Sequence, residues 1–128
     1  KYRKVICIDG DGSMIMHMGS LSTVAKLKPK NFYHILMNNY THESVGGQET
    51  SAKFIDIPNL VKSNGYDNIL FADNEKELES QINRFLNLSG PNFLEVVIKP
   101  GSRDGLGRPT NSPKANKSLF MKFIDKSS

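Results

Sequence analysis

The chain is predicted to form an α/β domain, a mainly parallel sheet flanked by helices, and three observations lead there. Short apolar runs rich in β-branched and aromatic residues alternate with segments whose apolar residues recur at helical spacing. The stretch between the first two runs is long enough for a crossover helix, and sequential strands joined that way are parallel with a right-handed connection. The 128 residues are 38% hydrophobic and 23% charged, ordinary values for one globular core, which excludes wholesale disorder and a second domain of similar size.

Val5-Ile6-Cys7-Ile8 opens the pattern. Apolar throughout, it predicts a strand buried on both faces, stopped by Asp9-Gly10-Asp11-Gly12. Ser13 stands where it can cap a helix over residues 14–27, with Met14, Met18, Leu21 and Ala25 on one face and Pro29 beyond its end. Phe32 to Met37 is the second strand and runs into Asn38-Asn39. From Tyr40 to Ala52 the residues are mostly polar, include Gly46-Gly47 and show no period, which predicts a long loop of the kind that carries function or stays disordered. A short helix over residues 58–63 turns Leu60 and Val61 inward and meets Gly65 as its C-terminal cap. Tyr66 to Ala72 reads as the third strand. Asn74 and Glu77 form a capping-box pattern for a helix with Leu78, Ile82, Phe85 and Leu86 on one side, ended by Gly90-Pro91. Phe93 to Ile98 is the fourth strand.

Two regions follow. Residues 1–98 are expected to form the α/β core and carry 10 Lys+Arg against 11 Asp+Glu. Residues 99–128 carry 7 against 2, so the net charge of +4 belongs to this extension, Gly/Pro/Arg-rich to about residue 116 and then briefly apolar over 119–124. It is expected to pack on the domain or at an interface. Its aromatics are not interleaved with its basic residues as a base-stacking platform requires, so nucleic acid is not expected as a partner. No apolar run reaches the length of a membrane-spanning helix, so no membrane partner is expected either. Lys1-Tyr2-Arg3-Lys4 leads directly into the first strand without an apolar export core, and a lone cysteine, Cys7, forms neither an internal disulfide nor a thiolate metal cage. A reducing cytoplasm is the expected setting.

In an open parallel sheet ligands sit at the C-terminal strand ends. Two chemistry-bearing features fall there: the turn Gly10-Asp11-Gly12-Ser13 after the first strand and Asn38-Asn39 after the second. The turn combines small residues, a hydroxyl and helix-opening N–H groups, which suits phosphate. Asp11 with an asparagine carboxamide 27 or 28 residues later adds hard oxygen donors suited to Mg2+ bridging to a diphosphate.

Gly-Asp-Gly followed at this distance by Asn-Asn resembles the diphosphate- and metal-binding motif of thiamine diphosphate enzymes. The likeness extends over Asp9 to Leu21, over Asn38-Asn39 with His42-Glu43-Ser44-Val45-Gly46-Gly47-Gln48, and over Pro100 to Pro109, where the chain is similar to the phosphonopyruvate decarboxylases, with the sulfopyruvate decarboxylases as near relatives. The resemblance implies that Asp11, Asn39 and the Thr41 carbonyl hold Mg2+, and that Gly10, Gly12 and Ser13 cradle the diphosphate. It implies decarboxylation of a 2-oxo acid, phosphonopyruvate giving phosphonoacetaldehyde and carbon dioxide, by chemistry that resides in the cofactor. It also implies a pyrimidine-binding domain of the same enzyme, supplied by the partner subunit of a homo-oligomer, and a strand–helix segment upstream of the Gly-Asp-Gly strand. These residues are therefore expected to be a C-terminal part of a longer enzyme, truncated at the start of the domain and inactive alone.

Other readings compete. An apolar strand followed by Asp-x-Asp-Gly-Ser also resembles the haloacid dehalogenase phosphatases, with Asp9 as nucleophile and Asp11 as general acid and base. No convincing downstream lysine and paired-aspartate motif accompanies it. A phosphate- or nucleotide-binding module without turnover would use the same turn and need no metal. Met14, Met16 and Met18 read as helix packing. Among the histidines, His17 has no metal-ligand spacing and His34 reads as structural. His42 lies beside the site and is the one candidate for substrate contact or proton transfer, with no catalytic residue otherwise expected. Arg103 and Arg108 are candidates for a phosphonate, against an interface or plain solvation.

Overall fold

The computed structural model describes residues 3–126; Lys1 and Tyr2 of the expected leaderless start, and residues 127–128 of the basic extension, lie outside the described residues. The elements are β1 (Val5–Gly10), α1 (Asp11–Met16), α2 (Ser20–Leu27), β2 (Phe32–Asn38), β3 (Thr41–His42), β4 (Gln48–Glu49), α3 (Ile57–Ser63), β5 (Asn68–Ala72), α4 (Glu75–Asn87), β6 (Asn92–Val97) and α5 (Pro113–Lys126). Four strands form one parallel sheet in the order β1-β2-β6-β5. The expected mainly parallel α/β architecture is present.

Helices cover both faces of this sheet. On one side Met14, Leu21, Ile57, Val61 and Tyr66 pack with Leu36 and Phe93. On the other, Phe85 of α4 packs with Tyr33, Leu70, Leu94 and Val96. Leu36, Phe85, Phe93 and Leu94 are fully buried, each stabilising the fold by about 1.5–3 kcal/mol through loss of apolar surface to water. Two cap signals read from sequence are in place: Asn74 Oδ1 accepts from Glu77 N–H at 3.0 Å, and Gly65 takes φ +75° just past α3.

Several expectations need correction. The single helix over 14–27 is two, α1 and α2, separated at residues 17–19, where His17 leaves helical geometry and Gly19 precedes the new helix; Gly19 weakens continuation at that point. Ser13 lies inside α1 rather than capping it, because Gly10 occupies the cap position and no side chain caps the helix. The first strand is not buried on both faces. It is the sheet edge, leaving Val5 and Ile6 half exposed and Ile8 70% exposed. The loop over 40–52 contains the β3–β4 hairpin and two 3-10 turns, Glu43–Val45 and Ser51–Phe54; strands of two residues are too short to show a period.

The third strand starts at Asn68 rather than Tyr66, and the apolar piece over 119–124 is part of the longer α5. This helix touches the domain through Arg3, whose Nη2 donates to the Ile124 carbonyl at 2.9 Å and whose guanidinium lies 5.7 Å from the Phe123 ring centroid. Leu119 and Phe120 remain exposed.

Candidate functional site

The register of the central strands decides where the motif residues meet. Gly10 is level with Met37, and Asn38 with Val97, so β1, β2 and β6 end at one edge. Gly10 is extended (φ −96°, ψ 155°) and the chain turns helical at Asp11, so the uncapped start of α1 opens on that edge. A cleft of about 330 Å3 results, lined by Gly10, Asp11, Gly12, Ser13, Asn39, Thr41 and His42, with Met37, Glu43, Ser44 and Ile98 completing its wall. Every residue expected to bind cofactor or metal lies on it, and so does His42.

Asp11 is buried, 2% exposed, and its Oδ2 accepts a hydrogen bond from the Thr50 hydroxyl. Thr50 Oγ1 in turn accepts from Ala52 N–H at 3.4 Å. Asn39 is held from two sides: its Oδ1 accepts from Thr41 N–H at 3.0 Å and its Nδ2 donates to Glu43 Oε2 at 2.7 Å. The other Glu43 oxygen accepts from Gly101 N–H, which roots the segment after β6 at the site. A Cβ on Gly12 would stand 2.5 Å from His42 Cε1 and Nδ1, so the imidazole lies directly against the glycine and a larger residue there would displace it.

Behind the cleft, Glu95 sits within β6 and is 5% exposed, with Oε1 accepting from Asn38 Nδ2 at 2.8 Å. Burial pushes its carboxyl above the usual range, partly offset by the Asn38 bond. Burial also raises the Tyr40 phenol, helped by the negative charges of Glu95 and Asp11.

Arg103 and Arg108 are not on the cleft. They line a separate exposed concavity formed by residues 102–109. Asp9 is not on it either: Oδ1 accepts from Gly10 N–H at 3.0 Å and Oδ2 stands 3.7 Å from His34 Nε2, an arrangement unsuited to a phosphatase nucleophile facing the Asp11 cleft. His34 is structural as expected, 5% exposed, with Nδ1 3.0 Å from the Tyr66 hydroxyl and its ring edge-on to Phe93. Thr50, Glu43 and Glu95 are site residues that the sequence reading did not single out. Thr50 ends an aperiodic stretch that offered no signal for it, and Glu43 entered only within the His42–Gln48 likeness, with no role of its own. Glu95 had one, a lone carboxylate in the otherwise apolar run Phe93-Leu94-Glu95-Val96-Val97.

Among the described residues no group of three or more His, Cys, Asp or Glu could hold a metal. The donors gathered here are instead one carboxylate, one carboxamide and backbone carbonyls, a set that fits a hard cation sharing its coordination with phosphate and water. No helix among the described residues is long and apolar enough to cross a membrane.

Residues 1–96 match the family described as "Thiamine pyrophosphate enzyme, C-terminal TPP binding domain". The chain is 36% identical over 122 residues to a phosphonopyruvate decarboxylase of Streptomyces viridochromogenes, covering 95% of this chain and 31% of that protein. It is 36% identical over 124 residues to a sulfopyruvate decarboxylase subunit beta of Methanococcus maripaludis, covering 96% of this chain and 65% of that subunit. The chain thus spans about a third of the length of the phosphonopyruvate decarboxylases it matches. A thiamin diphosphate-dependent enzyme from Mycobacterium smegmatis shares the fold, with a TM-score of 0.59 and 24% identity over 77% of this chain and 18% of that one. By the family match over three-quarters of its length, the chain belongs to the thiamine pyrophosphate enzymes as their C-terminal cofactor-binding domain.

Proposed function

We propose that this chain is the cofactor-holding part of a thiamine diphosphate- and Mg2+-dependent 2-oxo acid decarboxylase, with phosphonopyruvate as substrate and phosphonoacetaldehyde and carbon dioxide as products. The observation that carries the reading is the convergence of Asp11, Asn39 and Thr41 with Gly10, Gly12 and Ser13 on one cleft. Asp11, the Asn39 carboxamide and the Thr41 carbonyl are the metal ligands in this reading, and Gly10, Gly12 and Ser13 border the diphosphate. When bound, thiamine diphosphate supplies the electron sink that decarboxylation of a 2-oxo acid requires.

The chain's own residues bind and orient. Thr50 braces the Asp11 carboxylate, and Glu43 with the Thr41 amide fixes the Asn39 carboxamide. His42, against Gly12, is the side chain offered to the substrate. Arg103 and Arg108 line a concavity apart from the cleft, where a tetrahedral anion, a subunit interface and plain solvation are their alternative partners. Residues 1–98 act as the binding core and 99–128 as an extension at its surface. A separate pyrimidine-binding domain from a partner subunit completes the site, so the working enzyme is an oligomer, and the single free thiol of Cys7 fits the cytoplasm.

A second reading, sulfopyruvate decarboxylation with this chain in the manner of a β subunit, is favoured by equal identity to the Methanococcus maripaludis subunit, 65% of which the chain spans. Calorimetric titration of the full-length protein with thiamine diphosphate, in Mg2+ and in excess chelator, tests the site. Binding should depend on metal and weaken at least about tenfold in Asp11→Asn, the factor that 1.4 kcal/mol represents. Unchanged affinity in that variant defeats the metal assignment. Steady-state turnover of phosphonopyruvate against sulfopyruvate decides the substrate.

A further inference from the structure

We infer that Glu95 and Asn38 are positioning residues for the metal-binding turn: their buried hydrogen bond sets the bend at Tyr40 and thereby the places of Asn39 and Thr41 relative to Asp11. The inference rests on the reading of the cleft as a Mg2+–diphosphate site.

Glu95 lies in β6, an inner strand between β2 and β5, where a carboxyl is costly to bury without a partner. Backbone pairing already joins β2 to β6 from Tyr33–Asn92 to Asn38–Val97, so the side-chain bond is not needed to hold the strands together. Its effect is on Asn38, the fully buried last residue of β2. Asn38 Nδ2 donates to Glu95 Oε1 at 2.8 Å, while Asn38 Oδ1 accepts from Tyr40 N–H at 3.2 Å. A backbone N–H can only donate, so it fixes the carboxamide oxygen toward Tyr40 and leaves the NH2 group for Glu95. The Asn38 carbonyl is also engaged, accepting from Ile98 N–H at 2.9 Å.

Tyr40 itself has φ +58°, a left-handed conformation that a bulky residue keeps only where its surroundings impose it. The chain of bonds then continues. The Tyr40 carbonyl accepts from Thr50 N–H at 2.9 Å, and the Thr50 hydroxyl donates to Asp11. One hydrogen-bonded path therefore runs from Glu95 through Asn38, Tyr40 and Thr50 to the carboxylate across the cleft. Asn39 and Thr41 flank the bend that this path holds. Neither Glu95 nor Asn38 lines the cleft, so both act through the residues that do.

The test uses the full-length chain and reads the Mg2+ concentration that half-saturates thiamine diphosphate binding, with thermal unfolding followed alongside. Glu95→Leu removes the acceptor, and Asn38→Asp sets two carboxyls against each other. Each should raise the required Mg2+ by about 10–100-fold, the usual cost of losing a residue that orients a metal ligand. Glu95→Gln keeps an accepting oxygen and should stay near wild type. The double variant Asn38→Asp with Glu95→Gln restores the pair with its roles reversed, the new NH2 group donating to the new carboxylate, and should recover most of the loss seen in Asn38→Asp alone. Wild-type Mg2+ dependence in Glu95→Leu and Asn38→Asp overturns the positioning role while the cleft reading stands. Loss in Glu95→Gln equal to that in Glu95→Leu also overturns it. If Glu95→Leu fails to fold, the double variant decides, and no recovery over Asn38→Asp refutes the inference. A wild-type chain that binds the cofactor equally in chelator overturns the cleft reading itself and this inference with it.

Discussion

Replacing Thr50 by Val removes one hydroxyl and keeps the shape of the side chain, so it isolates the contact that braces Asp11. Both residues are 2% exposed, which leaves little room for solvent to replace the lost donor. The hydroxyl donates to Asp11 Oδ2, and a hydrogen bond to a charged group contributes about 1.5–3 kcal/mol. Valine also sets a methyl group against the carboxylate, leaving a buried oxygen unpaired, so the expected total is about 2–4 kcal/mol. The contact from Ala52 N–H, at 3.4 Å, is too long to add much. For a chain of 128 residues the unfolding midpoint should fall by roughly 6–20 °C. The assay is urea unfolding at neutral pH in the presence of chelator, so that bound metal does not contribute, with calorimetric melting as a second probe. Thr50→Ser, which keeps the hydroxyl and loses one methyl, should cost only about 1 kcal/mol. A valine variant within about 0.5 kcal/mol of wild type, the range of an inert surface change, would refute the reasoning, as would serine behaving like valine.

Two further outcomes follow from the same geometry. Burial among Phe32, Tyr66 and Phe93 lowers the His34 pKa below 6.5, an effect that Asp9 partly offsets. The unfolded chain therefore binds a proton on this ring that the folded chain refuses, and stability is full above about pH 6.5 and declines as pH falls below it; His34→Gln should flatten that part of the denaturation-versus-pH profile, and an unchanged slope would show that His34 does not contribute. For Arg108→Ala, the phosphonate role predicts a raised KM with cofactor affinity unchanged. A change in assembly size alone, seen by light scattering, would assign Arg108 to an interface instead.

Much of the fold was legible because its signals are local. Apolar runs of strand length, the helical face of Leu78, Ile82, Phe85 and Leu86, the Asn74 cap and the stop at Gly90-Pro91 each follow from residues within a few positions of one another. The convergence of Asp11 with Asn39 was legible for a different reason: a parallel pair joined by a crossover returns the chain to the same sheet edge, so motifs ending successive strands become neighbours.

The remainder depended on partners distant in sequence. Val5-Ile6-Cys7-Ile8 reads the same in a central strand as at an edge, and only the order β1-β2-β6-β5 left its side chains exposed. The break between α1 and α2 falls at residues 17–19, where His17 leaves helical geometry, and the apolar spacing of Met14, Met18, Leu21 and Ala25 runs straight through it. Thr50 became the brace of Asp11, 39 residues away, and Glu95 the partner of Asn38, 57 residues away, because the tertiary fold brings them within hydrogen-bond reach. Sequence by itself determined which groups stand at the sheet edge, since strand period and turn chemistry act over a few residues. Tertiary structure alone decided what holds those groups in place and which residues stay outside the cleft, Arg103 and Arg108 among them, because buried hydrogen bonds and packing depend on positions in space.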